Sequence, residues 1–370
     1  MKVVIAAAGT GGHINPGIAI ANKIMKEEPN SKIIFIGTSR GLETNLVPRA
    51  GYELKTIDAY GISREINIKN VKRLAKTIHS ITEAKSILKE FKPDLVIGTG
   101  GYICISVCMA AKKLKIPYII HESNVLPGVA TKMLSKRAEK ILVGFKEAKD
   151  RLPKAKEIVC TGTPTKVKKM DFSQAEINNK KQELGFSKEK PLVLVFGGSQ
   201  GAQSINKSMT DIIKNKLNEN YQIIWAAGPE QYEKVKEDLQ KENMDIDKIN
   251  GIKIMPYIYN MEEIMNIADL IVSRSGAMTV TEIENVGKPA IFIPFPFAAE
   301  NHQEYNARVL EKNKAAEVIL DKNLTAEILN ATITKLAKDR SALESMGANA
   351  HKLSKENVED KIYNEIKNRQ

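Results

Sequence analysis

Two glycine clusters, each directly after an apolar run, constrain this chain more than any other feature. Gly9–His13 (GTGGH) follows Val3–Ile5, and Gly197–Gly201 (GGSQG) follows Leu192–Phe196. A buried strand, a glycine turn and a helix start together form an anion site, because glycine lets the backbone approach a ligand and the helix N–H groups and dipole favour negative charge. One such site in each half predicts two doubly wound α/β domains that bind one phosphorylated ligand.

Apolar strand-like runs alternate with segments of helical period along the chain. The predicted strands are residues 3–8, 33–36, 95–98, 118–121 and 140–143 in the first half and 192–196, 222–227, 252–255, 270–273, 290–293 and 316–319 in the second. Continuous apolar strands separated by helices predict parallel sheets covered on both faces. A chain of 370 residues favours two domains, and the polar stretch 162–190 separates the two series. After about residue 340 we expect one or two helices that pack back on the first domain.

The composition excludes several classes of protein. The net charge is +12, but aromatic residues are only 5% and no helix-turn-helix, RNA-recognition or zinc-finger pattern is present, so no nucleic-acid partner is expected. Three cysteines without a zinc spacing indicate a reduced compartment, and the i, i+4 pair Cys104 and Cys108 predicts a buried helix face. The N-terminus does not resemble a signal peptide, and the longest apolar run, 102–111, is too short to span a bilayer. We therefore expect a soluble or peripheral protein.

In the first half, polar side chains follow two of the predicted strands. His13 lies in the first glycine turn, at the carboxyl end of a strand, where open α/β sheets bind ligands. A histidine there can act as a base near neutral pH, and the alternative is that it only caps the loop. His121–Asn124 adds two titratable groups and an amide at the same edge, unless these residues also serve only as loop caps. A third glycine turn, Gly98–Gly101, follows the strand between them in the chain.

In the second half, Arg274–Glu282 follows a predicted strand. Ser275 and Gly276 would open a helix whose N–H groups suit a diphosphate. Glu282 could accept both hydroxyls of a ribose; the alternative is a solvated helix charge. Glu300–Asn306 carries amides and carboxylates of the kind that hydrogen-bond sugar hydroxyls. Asp245–Asp247 matches a metal-binding Asp-X-Asp pattern but lies far from any glycine turn, so we interpret it as solvated loop and expect no metal.

Residues 69–92 predict a basic amphipathic helix. The apolar residues at helical spacing are Val71, Leu74, Ile78, Ile81 and Leu88, and the basic residues that flank them are Lys69, Lys72, Arg73, Lys76, Lys85, Lys89 and Lys92. Such a helix can lie on an anionic membrane surface, or it can bury its apolar stripe on the sheet. Both interpretations hold if part of the stripe is exposed, and we expect membrane contact in this half.

Taken in order, these motifs resemble those of the MurG family of peptidoglycan glycosyltransferases, over essentially the whole chain. The matching segments are 9–13, 15–17, 98–102, 121–124, 197–202 and 274–282, with Gln303, Asn306 and Ala307. The resemblance implies a GT-B fold, with two Rossmann-like domains and the active site in the cleft between them. Residues 1–163 plus 341–370 would bind the acceptor and the membrane, and residues 164–340 would bind UDP-N-acetylglucosamine.

The activity that the resemblance implies is transfer of N-acetylglucosamine from UDP-N-acetylglucosamine to the muramyl 4-hydroxyl of lipid I, giving lipid II and UDP. We expect an inverting displacement without a metal or other cofactor, with His13 as the base and Glu122 as the weaker candidate. The implied substrate-binding residues are Thr10, Gly11, Gly12 and Asn124 in the first domain and Lys166, Ser199, Ile258, Ala277, Met278, Thr279, Val280, Thr281, Glu282 and Gln303 in the second. Of these, Ser199 would contact the diphosphate, Ile258 the uracil through its main chain, Glu282 the ribose and Gln303 the sugar.

The implied partners are the donor, lipid I, the anionic cytoplasmic face of the cell membrane, and other cell-wall and division proteins. One departure concerns the diphosphate, because the family often has Asn-Pro-Val-Arg where this chain has Thr163–Lys166. Lys166 keeps the positive charge but loses the bidentate fork of arginine. Ser123 replaces a common glutamine.

Two other functions stay open at this point. A UDP-N-acetylglucosamine 2-epimerase shares the two-domain plan but needs no lipid acceptor, and a non-catalytic UDP-sugar sensor would bind the donor without turnover. A nicotinamide dehydrogenase is not favoured, because the glycine spacing differs from G-x-G-x-x-G and no acidic residue is evident at the end of the second strand.

Overall fold

The chain forms two compact α/β units. The computed structural model describes residues 1–60, 68–246 and 248–369, with only the backbone described for residues 68–78. Unit 1 comprises Met1–Thr165 and Lys355–Gln370, and unit 2 comprises Lys166–Ser354.

Each unit is built on one parallel sheet. The strands are β1 Lys2–Ala6, β2 Lys32–Gly37, β3 Glu53–Thr56, β4 Leu95–Gly98, β5 Tyr118–Glu122, β6 Lys140–Val143, β7 Ile158–Cys160, β8 Leu192–Phe196, β9 Gln222–Ala226, β10 Ile252–Met255, β11 Leu270–Ser273, β12 Ala290–Phe292 and β13 Ala316–Val318. Among the described residues the order is β3-β2-β1-β4-β5-β6-β7 in unit 1 and β10-β9-β8-β11-β12-β13 in unit 2. The central strands are buried on both faces, which explains their unbroken apolar sequences.

Helices cover the sheets. They are α1 Gly11–Glu27, α2 Glu43–Arg49, α3 Ile68–Phe91, α4 Ile103–Lys113, α5 Val129–Leu134, α6 Gln174–Glu183, α7 Gln203–Lys214, α8 Pro229–Gln240, α9 Met261–Ile267, α10 Ala277–Val286, α11 His302–Lys312, α12 Ala326–Ala337, α13 Arg340–Leu353 and α14 Val358–Lys367. Among the described residues, no helix combines the length and apolar content needed to cross a membrane. As predicted, Cys104 and Cys108 form part of a buried helix face.

The strand order reverses once in each sheet, and both reversals lie at predicted glycine turns. In unit 1 the reversal is between β1 and β4, where Ala6 pairs with Gly98. In unit 2 it is between β8 and β11, where Phe196 pairs with Ser273. Loops that leave neighbouring strands in opposite directions open a crevice at their carboxyl ends, where doubly wound sheets bind ligands.

All eleven predicted strands are present, and two more complete the sheet of unit 1. The missed strands, β3 and β7, are its two edges. In β3, Leu54 is half-buried and packs against the core, whereas Glu53, Lys55 and Thr56 are exposed. The strand therefore has no apolar run that would reveal it in the sequence. An edge strand pairs on one side only and needs less apolar sequence than a central one.

The C-terminal segment divides between the units. The sequence-based domain limits place residues 341–370 with the first domain, whereas the return to unit 1 comes after Ser354. Helix α13 stays with unit 2 because Gly347 lies against Gly287, where a Cβ would be 2.5 Å from the Gly287 carbonyl oxygen. Helix α14 belongs to unit 1, where Ile362 and Ile366 are buried in the core beneath β1 and α1.

The structure locates part of the apolar stripe of the predicted basic helix, which corresponds to α3. Ala84 and Leu88 are buried in the core of unit 1, and Ile81 packs against it. The side chains of Lys69, Val71, Lys72, Arg73, Leu74, Lys76 and Ile78 lie outside the described residues. The C-terminal half of α3 therefore buries its apolar face, as the non-membrane interpretation expects.

Candidate active site

The first glycine turn of unit 1 exposes main-chain donors at its tip. Gly9 has a φ of +92°, and Thr10 precedes α1 with an extended backbone and makes no side-chain cap. Inside the helix, Ile14 N–H already donates to the Thr10 carbonyl at 3.1 Å. The N–H groups of Gly11 and Gly12 belong to the first turn, where a helix provides no acceptors of its own. They are therefore suited to an anion.

The imidazole of His13 is held at Nδ1 by one main-chain and one side-chain contact. Its Nδ1 lies 3.2 Å from the Ala8 carbonyl oxygen and 3.4 Å from Thr10 Oγ1. Because a carbonyl can only accept, Nδ1 is the donor of the neutral ring and Nε2 is its basic nitrogen. A Cβ on Gly100 would lie 2.3 Å from His13 Cδ2, and one on Gly101 would lie 2.8 Å from the Ala8 oxygen. The third glycine turn thus makes room for the ring.

His121 is a buried structural histidine. Its Nε2 lies 3.0 Å from the Gly162 carbonyl oxygen, and Ser123 Oγ lies 3.4 Å from its Nδ1. Burial in an apolar setting lowers the pKa of His121, against the smaller opposing effects of the Gly162 carbonyl and of Glu122. The ring is therefore neutral at physiological pH and ties β5 to the segment after β7.

Glu122 is buried and accepts four hydrogen bonds. Oε1 accepts from the backbone N–H and the side-chain Nδ2 of Asn124, both at 3.0 Å. Oε2 accepts from Gly128 N–H at 3.0 Å and from Thr131 Oγ1 at 2.7 Å. The four acceptor positions of a carboxylate are filled from within unit 1. The side chain fixes Asn124 and the start of α5.

An acidic residue does follow β2, although none was evident from the sequence. Glu43 begins α2, is fully buried, and accepts from Gly9 N–H at 2.9 Å. It lies six residues beyond Gly37, and its buried carboxylate turns inward to the first glycine turn. In the sequence, Glu43 is an acidic residue shortly after Gly37 and Gly41. That pattern is too common to identify a functional residue.

The backbone of the glycine loop in unit 2 packs directly against the backbone of Ala227 and Gly228. A Cβ on Gly201 would lie 2.0 Å from the Ala227 carbonyl oxygen, and one on Gly228 would lie 2.4 Å from the Gln200 carbonyl oxygen. Both glycines have positive φ, so the close approach and the backbone conformation each require glycine. Ser199 is exposed at the tip of the loop, as a ligand-contacting residue must be.

Three side chains that the sequence did not single out support this loop. Trp225 Nε1 donates to Asn206 Oδ1 at 3.1 Å, which orients the amide. Asn206 Nδ2 then donates to the Ala227 carbonyl at 2.7 Å and to Gln231 Oε1 at 2.8 Å. Gln231 Nε2 donates to the Gln200 carbonyl at 3.2 Å. The network connects α7, β9 and α8 to the tip of the glycine loop.

Arg274 links three connections of unit 2. One of its terminal nitrogens donates to the carbonyls of Ile293 and Pro294 at 3.0 and 3.1 Å and to Asp321 at 2.5 Å. The other donates to Ser204 Oγ on α7 at 2.9 Å. Arg274 therefore holds the loop after β12 in place through the carbonyl groups of Ile293 and Pro294.

The residues around Arg274 join α11 to the start of α10. Ser275 Oγ donates to the Gln303 carbonyl at 2.8 Å, and Asn306 Nδ2 donates to the Ser275 carbonyl at 3.2 Å. Gln303 Oε1 accepts from Phe295 N–H at 3.0 Å. The structure thus brings together the predicted residues Ser275 and Gln303, which lie 28 positions apart.

The start of α10 contains buried and half-buried members of the predicted donor segment. Val280 N–H donates to the Gly276 carbonyl at 3.0 Å, so the first-turn donors are those of Ala277, Met278 and Thr279. The side chains of Val280 and Thr281 are buried in unit 2. Glu282 is half-buried on the next turn.

Ile258 and Lys166 complete the predicted set in unit 2. The Ile258 side chain is buried and fixes the loop after β10, on which Tyr257 is 43% exposed and Tyr259 is 93% exposed. Their rings meet edge to face, 5.0 Å apart. Lys166 is exposed at the first position of unit 2.

Within the described part of the chain, no group of three His, Cys, Asp or Glu residues is arranged to hold a metal ion. Asp245 forms an ion pair with Lys248 at 2.9 Å, which agrees with the solvated-loop interpretation. Asp247 lies outside the described residues.

Two domain families match the two halves of the chain. The Glycosyltransferase family 28 N-terminal domain matches residues 3–143, and the Glycosyltransferase family 28 C-terminal domain matches residues 192–362. The chain belongs to glycosyltransferase family 28. The expected resemblance to the MurG family is confirmed.

Family 28 relatives match almost the entire chain. One from Thermoanaerobacter sp. strain X514 is 45% identical over 99% of both chains. One from Clostridioides difficile strain 630 is 43% identical over 99% of this chain and 88% of its own. Both are named UDP-N-acetylglucosamine–N-acetylmuramyl-(pentapeptide) pyrophosphoryl-undecaprenol N-acetylglucosamine transferase.

Solved structures of the same architecture agree. MurG from Acinetobacter baumannii has a TM-score of 0.78 and 27% identity, with 99% of each chain covered. A UDP-GlcNAc 2-epimerase from Neisseria meningitidis bound to UDP-GlcNAc has a TM-score of 0.64 at 16% identity, with 100% of each chain covered, which shows a shared fold alone. The GT-B class of α/β fold expected for a family 28 protein is confirmed.

Proposed function

We propose that this family 28 protein transfers N-acetylglucosamine from UDP-N-acetylglucosamine to the muramyl 4-hydroxyl of undecaprenyl-pyrophosphoryl-MurNAc-pentapeptide. One observation carries the proposal. Relatives with the name of that transferase are 43–45% identical to this chain over 99% of its length. The products are the disaccharide lipid and UDP.

Unit 2 binds the donor. The first-turn N–H groups of Ala277, Met278 and Thr279 and the loop carrying Ser199 present partial positive charge, which suits a diphosphate. Lys166 supplies a full cation at the start of the unit. These groups replace water around the two phosphates.

The nucleoside and sugar are assigned to three further residues of unit 2. Glu282 accepts hydrogen bonds from the ribose hydroxyls, and the main chain at Ile258 pairs with uracil. Gln303 already accepts from Phe295 N–H through Oε1, so its Nε2 is the end that we assign to the sugar. Val280 and Thr281 act through the backbone and the core, since their side chains are buried.

Unit 1 binds the acceptor and provides the base. Gly11 and Gly12 open α1 beside Thr10, and their N–H groups suit the acceptor's pyrophosphate. His13 Nε2 takes the proton of the muramyl 4-hydroxyl as the oxygen attacks the anomeric carbon. General-base catalysis by a positioned side chain contributes a factor of about 10² to 10⁴ in rate. Glu122 has its four acceptor positions filled, so we assign it to positioning Asn124 and not to proton removal.

The displacement inverts the anomeric configuration. The acceptor oxygen attacks from the face opposite UDP, the bond to the β-phosphate oxygen breaks, and UDP leaves with the electron pair. Helix N–H groups and cations aimed at the diphosphate stabilise the developing charge, so we propose that no metal is required.

Unit 1 also makes the contact with an anionic membrane. It carries 31 Lys and Arg against 18 Asp and Glu, whereas unit 2 carries 25 against 26. On α5, Val129 and Met133 are 47% and 55% exposed on neighbouring turns, beside the exposed Lys132 and Lys136. An apolar pair within a basic surface is typical of interfacial binding. Sedimentation with vesicles containing anionic lipid tests this, and equal binding to neutral vesicles would contradict it.

A labelled-donor assay tests the transfer reaction. With a lipid I analogue and excess EDTA, we expect N-acetylglucosamine to enter the lipid product with a β linkage. An α-linked product would overturn inversion, and activity that is lost in EDTA and restored by Mg²⁺ would overturn metal independence. Free sugar without acceptor would identify an epimerase, and tight donor binding without any turnover would identify a sensor.

A further inference from the structure

Glu43 connects two loops at the ligand-binding edge of unit 1. Its Oε2 accepts from Gly9 N–H at 2.9 Å. Its Oε1 accepts from the N–H of Thr38 at 3.0 Å and from the Thr38 hydroxyl at 2.7 Å. One carboxylate therefore ties the β1–α1 glycine turn to the β2–α2 connection. Gly9 and Glu43 are 34 residues apart, so the tie is tertiary.

The backbone leaves space for this carboxylate. A Cβ on Gly41 would lie 2.0 Å from Glu43 Oε2, and a Cβ on Gly37 would lie 2.8 Å from Glu43 Cγ. Any other residue at these positions would push the carboxylate away from Gly9. The last residue of β2, Gly37, and Gly41 in the β2–α2 connection thus leave the space for one buried side chain.

The carboxylate is ionised although it is buried. Burial by itself raises the pKa of Glu43, but hydrogen bonds from the Thr38 side chain and the backbone N–H groups of Gly9, Glu43 and Thr38 outweigh it and hold the pKa below its usual value. A full charge makes each of these bonds stronger than a bond between neutral groups.

The turn that Glu43 contacts is open around its first glycine. Gly9 has a φ of +92°, and a Cβ there would meet no atom within 4 Å. Glycine has more backbone freedom to lose than any other residue, so a glycine turn keeps one geometry only if contacts enforce it. The pinned N–H lies directly before Thr10, Gly11 and Gly12, the residues that begin α1.

We propose that Glu43 is a positioning residue for the transfer reaction, which fixes the Gly9 peptide so that the α1 N–H groups and His13 keep their reactive geometry. This rests on the proposed function. The side chain is fully buried, so it acts through the glycine turn. A displacement of about 1 Å at a reacting group can cost about 100-fold in rate, so a lost tie is expected to appear in kinetics.

Glu43→Gln is the direct test. Besides the backbone N–H of Glu43 itself, three donors converge on the two carboxylate oxygens, and glutamine offers one oxygen and one NH₂ group. Keeping both Thr38 bonds on that oxygen leaves the NH₂ facing Gly9 N–H, which releases the turn. We expect kcat/KM for the acceptor to fall about 10- to 100-fold. KM for UDP-N-acetylglucosamine should stay within about twofold, because Glu43 lies in unit 1 and the donor site in unit 2.

Thr38→Val is the matched control. It removes one bond to the same carboxylate and leaves the Gly9 bond in place, so it costs stability without freeing the turn. We expect kcat/KM within about threefold of the unmodified protein. Hydrogen exchange gives a readout independent of activity: amides of residues 8–13 should exchange faster in Glu43→Gln and not in Thr38→Val.

Gly41→Ala is a second route to the same defect, because it displaces the carboxylate without removing it. It should reproduce the kinetic pattern of Glu43→Gln, which keeps the test decisive if the glutamine variant fails to fold. Equal losses in Glu43→Gln and Thr38→Val, or unchanged exchange at residues 8–13, would overturn the positioning role. If the unmodified protein releases no UDP in response to the acceptor, that result contradicts the proposed function and not the positioning role of Glu43.

Discussion

At the residue scale, the candidate site depends on main-chain geometry that a few side chains enforce. The Ala8 carbonyl selects the tautomer of His13, and Gly100 and Gly101 leave room for its ring. In unit 2, Asn206 holds the glycine loop through the Ala227 carbonyl. Each of these contacts fixes a group that would otherwise adopt several conformations.

His13→Ala tests the base directly. Loss of a positioned general base should lower kcat at least about 100-fold and leave the affinity for UDP-N-acetylglucosamine within about twofold. His79→Ala is the control, because His79 is a surface residue with a 69% exposed side chain. Steady-state kinetics and donor titration check both variants. Full turnover in His13→Ala would refute the assignment.

Gly100→Ala tests the room left for the imidazole. The new Cβ would lie 2.3 Å from His13 Cδ2, so the ring must move, and kcat should fall at least about 10-fold. Gly51→Ala is the matched control, since Gly51 also has a positive φ but a Cβ there meets nothing within 4 Å. Both substitutions strain the backbone by about 1 kcal/mol. Only Gly100→Ala should change turnover, and equal kinetics in the two variants would contradict the account.

The sequence indicates the local part of the site but not the side chains that support it. The glycine turns and His13 are visible because each motif is contiguous and follows an apolar strand. Glu43 and Asn206 were not singled out, since their partners lie 34 and 21 residues away. A tertiary hydrogen bond leaves no periodic trace in a single sequence.

At the element scale, connections of unit 2 converge on Arg274. It joins the end of β11 to the loop after β12, to the start of α7 and to Asp321. The guanidinium serves this role because it offers donors in several directions at once. The sequence predicted the elements around Arg274 correctly but not their convergence on this side chain.

Arg274→Lys should therefore destabilise unit 2. Lysine keeps the charge but cannot reproduce the four bonds, so we expect a loss of about 2–3 kcal/mol and at least about a 10-fold rise in KM for UDP-N-acetylglucosamine. The single tryptophan, Trp225, is buried in unit 2 and reports its urea unfolding by fluorescence. Arg308→Lys on the surface of α11 is the matched control and should cost less than about 0.5 kcal/mol. Equal midpoints for the two variants would contradict this role.

Helix α14 adds a pH-sensitive contact to unit 1. Glu28 Oε1 accepts from Lys367 at 2.7 Å and from Tyr363 at 2.9 Å. Hydrogen bonding to Lys367, against some desolvation, lowers the pKa of Glu28 to about 2. The unfolded carboxyl titrates near 4.5, so this stabilisation is present above pH 4.5 and is lost as the pH falls towards 2.

Glu28→Gln should remove that part of the acid dependence. In the unmodified protein, hydrogen exchange of α14 should accelerate between pH 4.5 and 2 relative to β1, whereas the variant should show the weaker protection at every pH. Glu53→Gln is the control, because Glu53 pairs with Lys55 on β3 and not with α14. An unchanged profile in Glu28→Gln would contradict the assignment.

At the scale of the whole molecule, the two units share a plan and differ in charge. The two parallel sheets and their glycine turns followed from the sequence, because central strands and turns carry strong local signals, whereas the strand order that the two sheets share is seen in the structure alone. The return of the chain at residue 355 and not at 341 did not follow, since it depends on the contact between Gly287 and Gly347. The excess positive charge lies wholly in unit 1, in agreement with the proposal that this unit contacts an anionic membrane.

The most direct test of the account is UDP release from UDP-N-acetylglucosamine, measured with and without a lipid I analogue in excess EDTA. We expect release that depends on the acceptor, persists in EDTA and is lost in His13→Ala. Release that is independent of the acceptor, or no release despite tight binding of UDP-N-acetylglucosamine, would contradict it.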